Sequence, residues 1–533
     1  CHKLLNRMHI AGNKIFQGRR SGRLYSEDES DAGDQCKRQK LYDKHRHTYE
    51  TFVRYVDIAL LMPGKITLME VAPLIEVPLE ALPDDVNPLQ LNPLLENNPN
   101  AYERHAILEA KAIGRYGLFI QRFFKADMGI KGTPTTIAAA AASQCKQKLK
   151  AAIEERTNLI SWDAVMGLEP RAPVRTYNSR KGLYDTQDIS LPIPARKNNM
   201  GFISLCFHGG RNEGIYTGPT PVGVYYDLDL ASAYTVALCD LYSLDYEQLR
   251  HTTDVNDFQG HVAGYAYVSF KFPESVRFPC LPVRSKDDAS LLFPLEGESY
   301  CTAPEIQMAL SLGCKINIKQ GVVVPWTQTE THIFDPFVSH ARAERSKAID
   351  NKAVLNEKLW KDIGNTVYGK LAQGVRENKA TSARTAFTNE FFAAYATGFV
   401  RAVIAEIMNR LPSDSLVVSV TTDGFLSNTT IEDCDLSGPL CQRYQAHCDR
   451  LDVGPMLVEK HRNRQTIGIK TRGQLSAEYS KGHEPVLAKA GVKLDLPSTP
   501  NMAAAEKKVA ENEAMIHLYL NRTARVEPHL YWT

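Results

Sequence analysis

Two aspartates far apart in the chain each close an apolar, β-prone run, and this feature restricts the fold more than any other. Asp229 follows Val222 to Tyr226, and Asp423 follows Leu416-Val417-Val418-Ser419-Val420. Both are therefore expected where a buried strand meets solvent. Between them stands Lys361-Asp362-Ile363-Gly364-Asn365-Thr366-Val367-Tyr368-Gly369-Lys370, where Leu359, Ile363 and Val367 recur at four-residue spacing and Lys358, Lys361 and Lys370 take other faces. That periodicity predicts a basic helix. Carboxylates on neighbouring strand ends can share hard divalent cations, which prefer carboxylate oxygen, and lysines on the intervening helix can meet a polyphosphate. In-line phosphoryl transfer needs both, because charge builds on the attacking and the leaving oxygen. A lone strand-end aspartate is more often a turn former or helix cap, and a lysine beside Tyr-Gly is ordinarily a solvated helix end. The ordered set carries the weight.

These stretches resemble the family B DNA polymerases, most of all their protein-primed and primer-independent branch from phages and mobile elements, over residues 70 to 495. Asp229-Leu230-Ala231-Ser232-Ala233-Tyr234 is similar to that family's first palm motif, D-x-x-S-L-Y-P. The resemblance implies that Asp229 and the Leu230 backbone bind metal and that Ser232 binds nucleotide. It makes Tyr234 the ring beneath C2′ that excludes a ribose hydroxyl. The central helix matches the fingers motif K-x-x-x-N-S-x-Y-G with Thr366 for Ser, implying Lys361 on phosphate and Asn365 and Tyr368 against the nascent base pair. The third motif departs from Y-x-D-T-D-S: the chain reads Ser419-Val420-Thr421-Thr422-Asp423-Gly424, and only the later aspartate is retained. Asp423 inherits the metal-ligand role, while Asp227, on the same strand face as Asp229, either compensates for Thr421 or is merely solvated. Two Mg²⁺ ions, with Mn²⁺ as a substitute, are the implied cofactors.

Flanking segments add to the likeness. Phe207-His208-Gly209-Gly210 resembles the Y-x-G-G segment before the palm, which implies DNA binding by Phe207, Gly209 and Gly210, since paired glycines let backbone N–H groups approach phosphates. A bare Gly-Gly turn is the other reading. Ile469-Lys470-Thr471-Arg472-Gly473 resembles the primer-strand motif K-x-Y with Arg472 for Tyr, and Ala488-Lys489-Ala490-Gly491-Val492-Lys493 resembles a Lys-containing segment near the start of the thumb. Lys470, Arg472 and Lys489 are thus DNA-binding candidates, joined by the basic run Lys460-His461-Arg462-Asn463-Arg464. Arg342, Arg345 and Lys347 fall on an expected helix beginning near Pro336, with Arg345 chosen for the triphosphate.

Upstream, Asn97 to Phe124 reads as a helix entered through Asn-Pro-Asn and resembles the last exonuclease motif of proofreading polymerases, with His105 at its Tyr and Glu109 at its Asp. Asp57 is the candidate for the second acidic motif. No strand bearing D-x-E is visible, and Glu27-Asp28-Glu29 sits in a polar run read as a loop. These departures weigh against proofreading. The chain opens at Cys1 without Met, which suggests that earlier residues are missing and would account for the absent motif.

The fold class that follows is α+β and multidomain: a right-hand polymerase with an N-terminal, ribonuclease H-like exonuclease region. The expected divisions are 1–200 for that region, 201–340 and 381–455 for the palm, 341–380 for the fingers and 456–533 for the thumb. A chain of 533 residues supports several domains. Net charge is only +2, so DNA must be met by local patches such as 460–472 and 37–47. Eleven cysteines include no C-x-x-C pair, and Cys434, Cys441 and Cys448 lack zinc spacing. Reduced thiols and a cytoplasmic setting, in a bacterium or a phage-infected cell, are expected. The apolar stretch Phe391 to Met408 carries Arg401 and Glu406, which argues against membrane insertion. The expected partners are DNA template and primer, dNTPs and, for a protein-primed start, a terminal protein; no oligomer is implied. A polymerase-like DNA-binding scaffold, inactive through Thr421, and a reverse transcriptase stay open as alternatives.

Overall fold

The computed structural model describes residues 17–20, 41–42, 48–49, 51–54, 57–64, 66–80, 82, 91–154, 161–169, 172–178, 183–285, 290–328, 332–375, 384–479, 484–494 and 504–525. The acidic run Glu27-Asp28-Glu29 and the basic residues of patch 37–47 lie outside them. The chain divides into two compact units. One holds Cys1–Glu80, Val86–Gln144 and Glu344–Ile363; the other holds Ala81–Asp85, Cys145–Ala343 and Gly364–Thr533.

In chain order the elements that matter begin with helix α1 (Pro99–Ala126), helix α2 (Pro194–Cys206), strand β1 (Arg211–Gly214), strand β2 (Tyr225–Leu230) and the short helix α3 (Ala233–Leu238). Then come strands β3 (Ala263–Lys271) and β4 (Glu296–Thr302), helix α4 (Ala303–Ser311), strand β5 (Lys315–Val324), and helices α5 (Asp335–Asp350), α6 (Val354–Leu371) and α7 (Glu390–Asn409). The last part comprises β6 (Val417–Thr422), β7 (Gly424–Ser427), helix α8 (Pro439–Arg450), β8 (Leu457–Lys470), β9 (Gly473–Tyr479), β10 (Ala488–Lys489) and helix α9 (Ala504–Arg525).

In the smaller unit, α1 starts where Asn98 accepts a hydrogen bond from the Ala101 N–H at 3.1 Å, the capping expected of Asn before Pro. Its buried stripe, Ala112, Tyr116, Ile120, Phe123 and Phe124, has helical spacing. The Tyr116 hydroxyl donates to the Leu61 carbonyl at 2.7 Å, and Phe123 meets Trp360 edge-on with centroids 5.5 Å apart.

The larger unit is organised by an eight-stranded sheet of order β10-β9-β8-β2-β7-β6-β1, with Gly218–Pro219 pairing beside β8. Every pairing in it is antiparallel. A second sheet places β5 and β4 on either side of β3. Helix α7 runs through the core, packed against α2, α3, α4 and α8. It is the helix among the described residues long and apolar enough to cross a membrane, and it is wholly buried within the protein. Its charges are matched inside: Arg401 Nε lies 2.8 Å from Glu305 Oε1, both fully buried, and Glu390 is bound by Arg196 at 3.0 Å. Helix α9 seals the sheet's far edge, where Asn512 and the Ser476 backbone exchange two hydrogen bonds of 3.0 and 2.8 Å.

Several expected boundaries move. The aspartate strand is Tyr225–Leu230 rather than Val222 to Tyr226; Val222 is 65% exposed, while Leu228 and Leu230 are buried. Asp229 therefore sits within the strand, on its polar face. Helix α7 begins at Glu390, because Asn389 caps it by accepting from the Phe391 and Phe392 N–H groups. Beyond residue 456, β8 and β9 continue the sheet that carries Asp229, and Leu457 to Asn463 pair with β2. The residues on both sides of 200, Cys145–Ala343, belong to the larger unit. Helix α5, expected near Pro336, begins at Asp335.

Candidate active site

Alternation of Asp227, Leu228, Asp229 and Leu230 puts two leucines into the core and both carboxylates on the opposite face of β2. Strand β7 runs antiparallel beside it with Gly424 directly opposite Asp229. Asp423 occupies the one-residue connection between β6 and β7, its N–H donating to the Thr421 carbonyl at 2.8 Å. The turn forces Thr422 into the left-handed region at φ 62°, costly for a β-branched residue and characteristic of functional turns. The Leu230 N–H donates to the Asp423 carbonyl at 2.9 Å. The two aspartates expected to act together are thus joined through strand register and one backbone hydrogen bond. Gly424 makes the approach possible: a Cβ there would collide with the Asp229 carboxylate and lie 2.6 Å from the Leu228 carbonyl oxygen. Thr421 brings no charge, and its hydroxyl is buried without a hydrogen-bond partner among the described residues.

Two basic residues of β8 face these acids. Lys460 Nζ is ion-paired with Asp229 Oδ2, and His461 Nδ1 lies 2.8 Å from Asp227 Oδ2. Asp227 is therefore held by a histidine rather than left to solvent. Burial raises the Asp229 carboxyl above the usual range, partly offset by the hydrogen bond and charge of Lys460. Burial and then the charge of Asp229 push Asp423 up to about 6. Burial disfavours the Lys460 ammonium, but its hydrogen bond to Asp229 and the charges of Asp229, Asp423 and Asp227 outweigh that and raise it. Within the basic run 460–464, Lys460 is held by Asp229, and Arg462 by Glu459 at 2.8 Å.

The donor set suits a hard divalent ion: half-buried carboxylates of raised pKa, and an ammonium already standing on Asp229. No group of three or more His, Cys, Asp or Glu side chains forms a protein cage among the described residues. Water and substrate phosphate would have to complete the shell, as is usual for Mg²⁺.

Beside the carboxylates, Ser232 enters α3 in the left-handed conformation at φ 54°, and its carbonyl accepts the Val236 N–H at 2.9 Å. The next residues reach α6. Tyr234 stacks on Tyr368, and the Thr235 hydroxyl lies 3.2 Å from Asn365 Oδ1 and 3.3 Å from the Gly364 carbonyl. Burial pushes the Tyr234 phenol up to about 12. Leu359, Ile363 and Val367 are fully buried, while Lys361 and Asn365 are exposed. Lys361 and Arg345 fall in the smaller unit, where Arg345 is paired with Glu357 at 2.7 Å.

Phe207 caps the C-terminus of α2. Gly210 is required for a reason other than the expected phosphate approach: a Cβ there would lie 2.7 Å from Thr422 Cα and 2.9 Å from the Tyr234 hydroxyl. Gly209 meets no such crowding; its carbonyl and that of His208 accept from Arg401 Nη1 at 2.6 and 3.1 Å. Arg401, absent from the expected site, and Lys460, expected only within a run meeting primer phosphates, are its main additions. Arg401 looks in sequence like one polar residue in an apolar helix, and Lys460 like part of a solvated basic run.

Lys470 and Arg472 form the β8–β9 turn, with Arg472 left-handed at φ 55° and its Nε donating to Asn212 Oδ1 at 2.9 Å. Lys489, on β10, is paired with Glu511 of α9 at 2.7 Å. The exonuclease candidates fare differently. Asp57 caps a helical turn through the Ala59 N–H at 3.0 Å, whereas His105 and Glu109 lie half-buried on α1. Neither belongs to a three-ligand acidic or histidine group among the described residues.

Comparison with known proteins bears on this arrangement. Residues 119–388 match the family described as DNA polymerase type B, organellar and viral. The chain is 40% identical over 489 residues to the primer-independent DNA polymerase PolB of Escherichia coli, covering 88% of this chain and 54% of that protein. It therefore spans about half the length of this relative. Among solved structures, phi29 DNA polymerase bound to primer-template DNA and incoming nucleotide superposes with a TM-score of 0.54 at 12% identity, over 85% of this chain and 75% of that one. The phi29 post-translocation binary complex gives 0.50 at 11% identity over the same shares, a likeness of fold. On the match across half its length, the chain belongs to the type B DNA polymerase family of organellar and viral kind.

Proposed function

We propose that this chain is the synthetic part of a template-directed DNA polymerase that adds dNTPs to a 3′-hydroxyl by two-metal phosphoryl transfer and starts chains without a primer. The carrying observation is the register that sets Gly424 opposite Asp229, with Asp423 one residue away and bound to the Leu230 N–H. Primer independence rests on the likeness to the Escherichia coli protein. The sheet from β1 to β9 and α7 serve as the palm, α5 and α6 as the fingers, and the segment from β10 to α9 as the thumb. The N-terminal region is the exonuclease-like part in this reading.

Asp229 and Asp423, with the Leu230 backbone, are the residues that would hold two Mg²⁺ or Mn²⁺ ions, which when bound acidify the attacking hydroxyl and neutralise the triphosphate. Tyr234, backed by Tyr368, faces the sugar and excludes a 2′-hydroxyl; Ser232 and Asn365 complete the nucleotide pocket. Lys361 and Arg345 meet the phosphates, with Arg345 released from Glu357. Lys470, Arg472 and Lys489 steady the primer strand, and the Phe207 to Gly210 loop, anchored by Arg401, supports the template.

Purified protein is given labelled dNTPs and Mg²⁺ on single-stranded DNA, with and without an annealed primer, beside Asp229→Ala and Asp423→Asn. Product without primer that both variants lose supports the proposal. Product only with primer leaves the polymerase and removes self-starting; a terminal protein supplying the hydroxyl is then tested by adding host extract. Absence of product in both arms favours a DNA-binding scaffold.

A further inference from the structure

Adjacent residues of a regular strand point to opposite faces, yet Lys460 and His461 both reach the acidic side of β2. The cause is a bulge. Register between β8 and β2 runs Val458 to Asp229, Glu459 to Leu228, then His461 to Asp227, leaving Lys460 as the extra residue. Bulges re-aim side chains beside functional sites. His461 is fixed on both ring nitrogens, with Lys508 Nζ 3.2 Å from Nε2 and Lys508 itself 3.1 Å from Glu484. Lys460 differs: Asp229 is its ion-pair partner among the described residues, half of its side chain is exposed, and its stem is flexible. Thr421 at the third motif also leaves the cleft one acid short of the pattern that the chain otherwise resembles, so this lysine changes the balance of a reduced acidic cluster.

We propose that Lys460 is a resident counter-ion of the metal-binding carboxylates: it holds Asp229 while no metal is bound and yields it to the incoming divalent ion, so that it sets the site's metal affinity. This rests on reading Asp229 and Asp423 as metal ligands. A cation that must leave before another arrives weakens apparent binding by the strength of the pair it gives up. For a half-exposed pair that strength corresponds to about fivefold.

The test is Mn²⁺ binding to the whole chain, followed by electron paramagnetic resonance without DNA or nucleotide, for wild type, Lys460→Met, Lys460→Gln, Lys460→Arg, Lys319→Met and Asp229→Asn. Lys460→Met and Lys460→Gln are expected to bind Mn²⁺ about fivefold more tightly, with lower metal-free melting temperatures that Mn²⁺ restores. Lys460→Arg should stay near wild type. Unchanged or weaker binding in both neutral variants overturns the proposal, as does equal tightening in Lys319→Met, which removes a charge from the other sheet. Wild-type Mn²⁺ binding that survives Asp229→Asn instead overturns the metal-ligand reading, so the two failures are distinguishable.

Discussion

Tyr368 lies face to face with Tyr234, ring centroids 4.5 Å apart and planes 13° from parallel. The stack ties the first aspartate motif to the later turns of α6, and the neighbouring Thr235–Asn365 contact at 3.2 Å repeats the link. On the proposed placement of Tyr234 against the sugar, a ring held on its back by a second ring cannot tilt away from a bulkier one.

Removing that ring is therefore expected to relax sugar choice. Tyr234→Ala should raise the ratio of ATP to dATP incorporation, as kcat/KM, by about 100-fold. Tyr368→Ala should raise it less, because Tyr234 persists without its backing. Single-turnover incorporation measures both; an unchanged ratio in Tyr234→Ala would remove the assignment.

Gly424 stands where the family pattern has Ser, so Gly424→Ser looks like a restoration by sequence. Its Cβ would collide with the Asp229 carboxylate. Nucleotide incorporation should fall by about 100-fold, the scale of an ångström's misplacement at a reacting centre. Stability should drop by about 1–3 kcal/mol from overpacking. Wild-type rates in this variant would show that Asp229 does not need its present position.

Arg401→Met strips a fully buried partner from Glu305. A carboxylate left buried and unpaired costs about 3–5 kcal/mol, read in urea unfolding. Arg401→Met with Glu305→Met should recover part of that loss, since Glu305 also accepts from the Thr302 N–H and hydroxyl at the start of α4. Incorporation should stay low in the double variant, because the carbonyls of His208 and Gly209 also lose their donor. Full activity in a stable double variant would assign Arg401 to stability alone.

Acid should narrow one difference in stability. Asp423 is raised to about 6 from an ordinary value of 3.8, so its ionisation disfavours the folded metal-free state. That cost is absent below the unfolded value and is reached in full as pH rises through the folded one. Asp423→Asn should hence be more stable than wild type without metal by ~3 kcal/mol at pH 7.5, with the gap closing by pH 4. Thermal melts across that range in chelator decide it; a gap that widens toward acid would reverse the sign.

Residue order alone made the carboxylate pair and the basic helix legible. Period-2 and period-3.6 patterning is local: Asp229, Asn365 and Tyr368 lie on elements whose type the sequence predicts, and Asp423 lies at the strand end expected of it. The strand bearing Asp229 was nonetheless expected several residues early, since Val222 and Val224 look like strand and are exposed. Pairing with β7 and β8, rather than local preference, chose Tyr225–Leu230.

Sequence by itself thus determined which side chains carry charge and which faces of β2 and α6 they occupy, because side-chain periodicity is a property of the local backbone. Tertiary structure alone decided what those charges meet. One extra residue in β8 turned Lys460 onto Asp229, a helix buried on every side delivered Arg401 to the loop at Gly209, and a missing Cβ at Gly424 gave Asp229 its place. Register, burial and close approach are relations between segments distant in the chain, and no local pattern of residues encodes them.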